Sequence, residues 1–237
     1  MNIPTVTLRE LITLEDQGFA RAVFDEVWPI DSGGTEITPN LLQAMVHNGV
    51  YLSGAFVDGK IAGAAFAFPS IQGELHLHSH MTAILPQFRD LGIGSQLKAH
   101  QWNWAKTHSF KSITWTFDPL VRRNAKLNIL KLGADVASYE PNFYGAMPDA
   151  LNVGDESDRI VIRWDLSGEK PAPRRALSAF PSASIRIEIP EDIVELRGID
   201  MAEAMLWRHR VRDQFLAALK SGKKVIGFSI NNEYILH

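Results

Sequence analysis

The sequence predicts an α+β fold, a mixed sheet carrying helices, on three observations. Val50 to Val57 and Lys60 to Phe68 are apolar, Gly- and Ala-rich runs separated by Asp58-Gly59, the pattern of a tight hairpin in which glycine meets the positive φ requirement. Ser112 to Phe117 alternates Ile113, Trp115 and Phe117 with Thr114 and Thr116, the period of a strand with two unlike faces. Leu14 to Trp28 instead places Phe19, Val23 and Val27 at four-residue steps, the spacing of one helical face.

The remaining elements follow in order. A short strand at Val6 to Glu10 opens the chain, and Pro29 helps end the first helix. Thr38-Pro39 predicts an N-cap with proline at the first helical position, starting a second helix that stops near Gly49. After the hairpin, a loop at Pro69 to Gly73 leads into a strand from Glu74 to Leu85, and Pro86 to Gly94 turns the chain into a helix reaching about His108. Asn124 to Leu132 predicts another helix, closed by Gly133 where a left-handed residue commonly ends one. Strands near Ala134 to Tyr139 and Arg159 to Leu166 follow, separated by a long polar loop rich in carboxylates.

Ser167 to Ser184 has three prolines and no apolar period, so it is expected to be a linker between a main domain, 1–166, and an extension, 185–237. The extension predicts a small β-α-β-β unit: a strand at Ile185 to Ile189, a helix from Asp200 to Lys220, and a hairpin from Val225 to Leu236 turning at Asn231-Asn232. So short a unit buries little surface, so it should pack on the main domain or on a second subunit, where its hairpin could support a homodimer.

Composition narrows the function classes. With 46% hydrophobic and 22% charged residues the chain is that of a folded soluble protein, and a net charge of -3 without long basic runs argues against nucleic acid as partner. The chain has no cysteine, which excludes disulfides, thiolate metal ligands and a cysteine nucleophile. The start Met1-Asn2-Ile3-Pro4-Thr5 lacks a basic and an apolar leader region, and no run approaches the ~18 apolar residues of a spanning helix, so a cytoplasmic location away from the membrane is expected.

The segment that carries chemistry is the exit of the Glu74 to Leu85 strand, Arg89-Asp90-Leu91-Gly92-Ile93-Gly94, at the start of a helix. A helix start exposes unpaired N–H groups and a positive dipole end, and glycine lets an anion approach them, so this is a site for a phosphate group. A dinucleotide fingerprint would follow its strand at once and carry a third glycine, where this chain has Leu97. The hexapeptide resembles the Q/R-x-x-G-x-G/A acyl-CoA signature of the GNAT superfamily of N-acyltransferases. The element order from Val6 to Leu166 is similar to that fold, and Asn124-Ala125 through Lys131-Leu132-Gly133 resembles its second cofactor helix. The strings HSHM (His78 to Met81), WTFDPL (Trp115 to Leu120), NFYG (Asn142 to Gly145) and SDR (Ser157 to Arg159) look like one branch of it.

The resemblance implies a mostly antiparallel sheet whose central strand is bulged and splayed. Acetyl-CoA, or another acyl-CoA, would then bind with its pantetheine arm on the backbone of Thr82 to Ile84. Its pyrophosphate would lie on the N–H groups of Leu91, Gly92, Ile93, Gly94 and Ser95 beside Arg89, with Asn124 and Asn128 on the pantetheine or the leaving sulfur. The activity implied is direct attack of a small-molecule amine on the thioester. The tyrosine that often protonates the departing thiolate falls at Ile129, so that role is open to Tyr144, Asn128 or water, or the thiolate leaves without help.

An alkyl amine with pKa near ~10 arrives protonated and needs a base. Glu74, His76, His78 and His80 are spaced by two and so share one strand face, which Thr82 and Ile84 would continue, with Leu75, Leu77 and Met81 on the other. His78 lies where several GNAT enzymes carry a base glutamate; it is the first candidate and His80 the second. Glu74, Asp118, Glu140 and Asn142, with the other acids of the 140–158 loop, are expected to face a cationic acceptor. Two other classes remain open: a non-catalytic acyl-CoA-binding or regulatory module, and a metal-dependent hydrolase built on His76, His78 and His80.

Overall fold

A computed structural model describes residues 5–30, 33–147, 149, 152 and 154–237. Of the start considered above for a leader, Met1 to Pro4 lie outside the described residues. The chain divides into two compact units, Met1–Thr114 with Asp165–Glu169, and Trp115–Trp164 with Lys170–His237.

In the first unit the strands run β1 (Val6–Glu10), β2 (Tyr51–Val57), β3 (Lys60–Ser70), β4 (His76–Ile84) and β5 (Ser112–Phe117), each paired with the next. The pairings are antiparallel up to β3·β4, whereas β4·β5 is parallel. The β2–β3 hairpin turns at Asp58 and Gly59, with φ of 48° and 81°, the positive angles that the sequence called for. α1 (Leu14–Val27) is opened by a reciprocal cap between Thr13 and Asp16, and α2 (Pro39–His47) by Thr38 with proline behind it. Their apolar faces close over β2, β3 and β4 through Ala20, Val23, Phe24, Leu42, Leu52, Phe66, Met81 and Ala83. On β2, Tyr51 faces α3 (Ile93–Thr107), where its hydroxyl meets His100 Nδ1 at 2.9 Å and its ring packs edge-on against Trp104.

The second unit contains the antiparallel pair β6 (Asp135–Glu140) and β7 (Arg159–Asp165), and a three-stranded sheet in the order β8 (Ile185–Glu188), β10 (Glu233–Leu236), β9 (Val225–Phe228). The expected helix near Asn124 begins earlier, as α4 (Arg122–Ala125), and widens into a π-helical turn, Lys126–Lys131, before Gly133 at φ 59°. The segment expected to be a linker is pinned: Arg174 N donates to Leu130 O at 2.7 Å, and Leu177 exchanges bonds with Phe228 and Ile230. Two helices follow β8, α5 (Ile193–Ile199) and α6 (Met201–Lys220), capped by Asp192 and Asp200. α5 is too short for a periodic pattern to announce it; its Asp192 cap is the only local signal. No described helix is long and apolar enough to cross a membrane.

Candidate active site

β4 is irregular on both sides, and each irregularity has a local cause. Toward β3, Phe66 pairs with Met81 but Ala67 with Ser79, so His80 is an extra residue, a β-bulge. Toward β5, the ladder comprises Leu77 with Ile113 and His78 with Thr114, while β4 runs on to Ile84 bonded to β3. The backbone groups of Thr82 to Ile84 along that edge are therefore outside the β4·β5 ladder. Gly63 permits the close approach on the bonded side, because a Cβ there would lie 2.7 Å from the Ala83 carbonyl oxygen.

Leaving β4, the chain makes a short 3-10 turn at Pro86–Phe88, and Asp90 and Gly92 take left-handed φ of 64° and 73°. Gly92 is the N-cap of α3, and no side chain caps it. A Cβ at Gly92 would meet nothing within 4 Å, so the residue answers a backbone angle and an open approach, not a packed neighbour. Arg89, Asp90, Leu91 and Gly92 are exposed, and Gly94 and Ser95 are half-buried. The N–H groups of Ile93, Gly94 and Ser95 open a 15-residue helix, which suits an anion.

The bulge corrects one expectation. Because β4 gains a residue at His80, the alternation of faces reverses there: His78 and His80 pack against Phe68, with ring centroids at 5.1 and 5.7 Å, and Met81 and Ala83 lie in the same α1-side core as Phe66. Thr82 and Ile84 thus sit opposite the histidines, where Ile84 crowds Gly63 on the α3 side. His76 Nδ1 lies 2.9 Å from Glu74 O, and Glu74 itself accepts from Ser112 Oγ at 3.4 Å.

His78 is strongly perturbed. Burial, then the neighbouring His80, Lys98 and His76, pushes it down to about 4, so its ring is neutral at pH 7. Its Nδ1 lies 3.4 Å from Thr114 Oγ1. Behind the strand, buried Lys98 of α3 donates to Ser79 Oγ at 2.7 Å, and burial lowers it to about 7. Sequence reading missed Lys98, although a lysine one residue after Leu97 in a buried helix face was the available signal.

Residues 17–127 match the acetyltransferase (GNAT) family. That region is similar to a GNAT acetyltransferase domain. The fold agrees with solved structures of that kind. A GNAT-family putative acetyltransferase from Desulfovibrio desulfuricans aligns with TM-score 0.50 at 19% identity, covering 69% of this chain and 100% of that one. Naa50 of Arabidopsis thaliana, in complex with the bisubstrate analogue CoA-Ac-MVNAL, aligns with TM-score 0.54 at 15% identity over 68% of this chain and 98% of its own. The ribosomal-protein-S18-alanine N-acetyltransferase of Escherichia coli aligns with TM-score 0.54 at 14% identity, over 70% and 96%. No curated relative matches the sequence.

In the second unit the expected polar residues are largely engaged. Asn128, buried in the π-helical turn, accepts from Trp115 Nε1 at 2.7 Å and donates to Asn124 O at 2.9 Å. Tyr144 places its hydroxyl 3.1 Å from Thr116 Oγ1 and its ring under the Arg159 guanidinium. Glu140 accepts from Ser138 Oγ, and Asn142 accepts from Ser157 N.

Asp118, expected to face a cationic acceptor, is corrected. It is buried and held by Arg208 in a two-pronged pair at 2.8 and 2.9 Å and by Arg197 at 2.6 Å. Burial would raise its pKa, but those guanidiniums hold it well below the carboxylate range. Asp155 bonds both Arg197 and Arg208, and Asp158 and Glu156 both bond Arg212. The charges of Asp155, Glu156 and Asp158 are therefore answered within the chain. The missed signal was Arg208 itself, standing in the buried stripe Ala204, Arg208, Val211, Phe215, Ala218 of α6. An arginine on an apolar face predicts a buried acid partner.

Proposed function

We propose that this chain transfers the acyl group of an acyl-CoA, acetyl first among them, to a small-molecule amine by direct attack in a ternary complex. The observation that carries the reading is the juxtaposition, within one unit, of a β4 edge outside the β5 ladder and the uncapped, glycine-started N-terminus of α3. Backbone groups of Thr82 to Ile84 suit an amide-bearing arm, and the N–H groups of Leu91 to Ser95, with Arg89 alongside, suit its diphosphate. In this reading residues 1–166 form the acyltransferase domain and 185–237 an extension joined by 167–184.

His78 is the base. Neutral among Phe68 and His80, it takes the proton from the attacking nitrogen as the C–N bond forms, and the C–S bond breaks to release the thiolate. Backbone N–H groups along the open β4 edge stabilise the oxyanion. The thiolate is protonated by water or leaves unaided, and His80 stands second as base.

One observation favours a non-catalytic acyl-CoA-binding module instead: Ile129, where the family's acid tyrosine would fall, is 1% exposed and part of the core. The two readings separate on one measurement. Thiol release from acetyl-CoA across a panel of amines, above the rate without amine, supports the enzyme, whereas tight CoA binding with no turnover supports the module. The hydrolase reading lacks a ligand set, since among the described residues no group of three or more His, Cys, Asp or Glu could hold a metal ion.

A further inference from the structure

Lys98 ties the helix that opens at the glycine turn to the strand that carries the histidines, and both elements lie within the first unit. Its ammonium donates to Ser79 Oγ at 2.7 Å and to Gln101 Oε1 at 3.4 Å, and all three side chains are buried. Ser79 stands between His78 and His80 and pairs with Ala67 of β3, immediately before the bulge. An apolar side chain would fill the same space without the cost of desolvating a cation, so packing alone does not call for a lysine.

The tie has a geometric consequence for β4. Ser79 faces α3, and beyond the bulge Thr82 and Ile84 face that side as well. Ser79 and Thr82 are separated by an odd step, and a regular strand cannot place two such residues on one face. The extra residue at His80 reconciles them. Without the bulge, Thr82 and Ile84 would stay in phase with His78 and His80. Anchoring Ser79 from α3 therefore fixes where the phase changes, and with it the turn of both imidazoles toward Phe68.

We propose that Lys98 is a positioning residue for the histidines of β4: through Ser79 it holds the bulge at His80, so that His78 and His80 turn to the Phe68 side while Thr82 to Ile84 keep their open edge. Lys98 acts through the strand, and it links the placement of the base to the helix whose N-terminus suits the diphosphate. The groups around His78 are His76 and His80 of its own strand, Phe68 of β3, Thr114 of β5 and Lys98 of α3, and the cation disfavours a second positive charge on that ring. The role in acyl transfer rests on the acyltransferase reading above.

The test uses the full chain and the amine giving the fastest thiol release with acetyl-CoA. Lys98→Met is expected to lower kcat at least about tenfold, the order of loss that a displaced reacting group brings, while acceptor KM and CoA affinity stay within about twofold. Backbone amide exchange at 79–81 should quicken by at least about tenfold in the same variant. The His78 imidazole, followed by NMR, should titrate at higher pH than in wild type, because a neighbouring positive charge is gone. Ser79→Ala should match the loss in kcat, and the double variant should lose no more than either alone to within about twofold, the mark of one shared interaction. Lys106→Met, which removes an exposed charge from the same helix, should show none of these changes. If Lys98→Met folds poorly, Ser79→Ala alone decides through exchange and kcat. Unchanged exchange in either variant overturns the hold on the bulge. Quickened exchange with unchanged kcat, or losses that multiply in the double variant, overturn the positioning role. If the wild-type chain releases no thiol with any amine, the acyltransferase reading falls and the role in transfer with it, while exchange and the His78 titration still decide whether Lys98 holds the strand.

Discussion

Lys98 reaches through the first unit to donate its ammonium to Ser79 Oγ at 2.7 Å, directly behind the strand position next to His78. A buried lysine lowered to about 7 has a definite pH signature. Its stabilising share is fully present above its unfolded pKa of ~10.4 and is lost as pH falls toward 7, because the unfolded chain binds the proton more readily. Lys98→Met should abolish that slope and be more stable than wild type at pH 7, by on the order of 3 kcal/mol less the lost hydrogen bond to Ser79. Urea unfolding at pH 7 and pH 10 measures it; parallel curves for both proteins refute it.

His78→Ala should lower kcat by about a hundredfold, the usual contribution of general base catalysis, with CoA affinity unchanged. With His78 lowered to about 4, the wild-type ring stays neutral down to that pH. The acid limb of kcat/KM owed to this group should therefore lie near 4, well below the ordinary histidine value of ~6.5. A limb at 6.5 in wild type, or an unchanged profile in the variant, removes His78 as the base.

Gly92→Val should abolish CoA binding in calorimetry while costing only about 1–3 kcal/mol of stability. The cost arises because φ 73° is strained for a branched residue although no neighbour blocks a Cβ. Undiminished affinity in a folded variant would place the diphosphate elsewhere.

Arg208→Met leaves Asp118 and Asp155 buried without their principal counter-charge and should destabilise the second unit by about 3–5 kcal/mol. The sign with pH follows from the carboxylates. Asp118 and Asp158 are depressed in the fold, so their contribution is complete above the unfolded value near ~4 and is lost as pH falls below it. The deficit of the variant should accordingly shrink below pH 4 in acid titrations followed by circular dichroism.

The fold was legible where a short stretch of chain decides its own geometry. Asp58-Gly59, Thr38-Pro39 and Gly133 each marked a backbone angle or cap that the structure contains. The glycine turn before α3 was legible for the same reason, since Gly92 answers a local φ. Facing was not, because a bulge is a two-strand event: nothing in His78-Ser79-His80-Met81 shows that β3 will skip a residue between Phe66 and Ala67. The destination of Asp118 was equally hidden, being settled by arginines far along the chain. Reading an exposed role into that aspartate assumed that a loop acid stays wet.

The pairing of Asp118 with Arg208 spans ninety positions, and Asp155 and Asp158 also wait for partners on α6. During synthesis these acids emerge long before the cations that neutralise them. The second unit can reach its final arrangement only after α6 has left the ribosome, so its maturation waits on a segment made long after these acids.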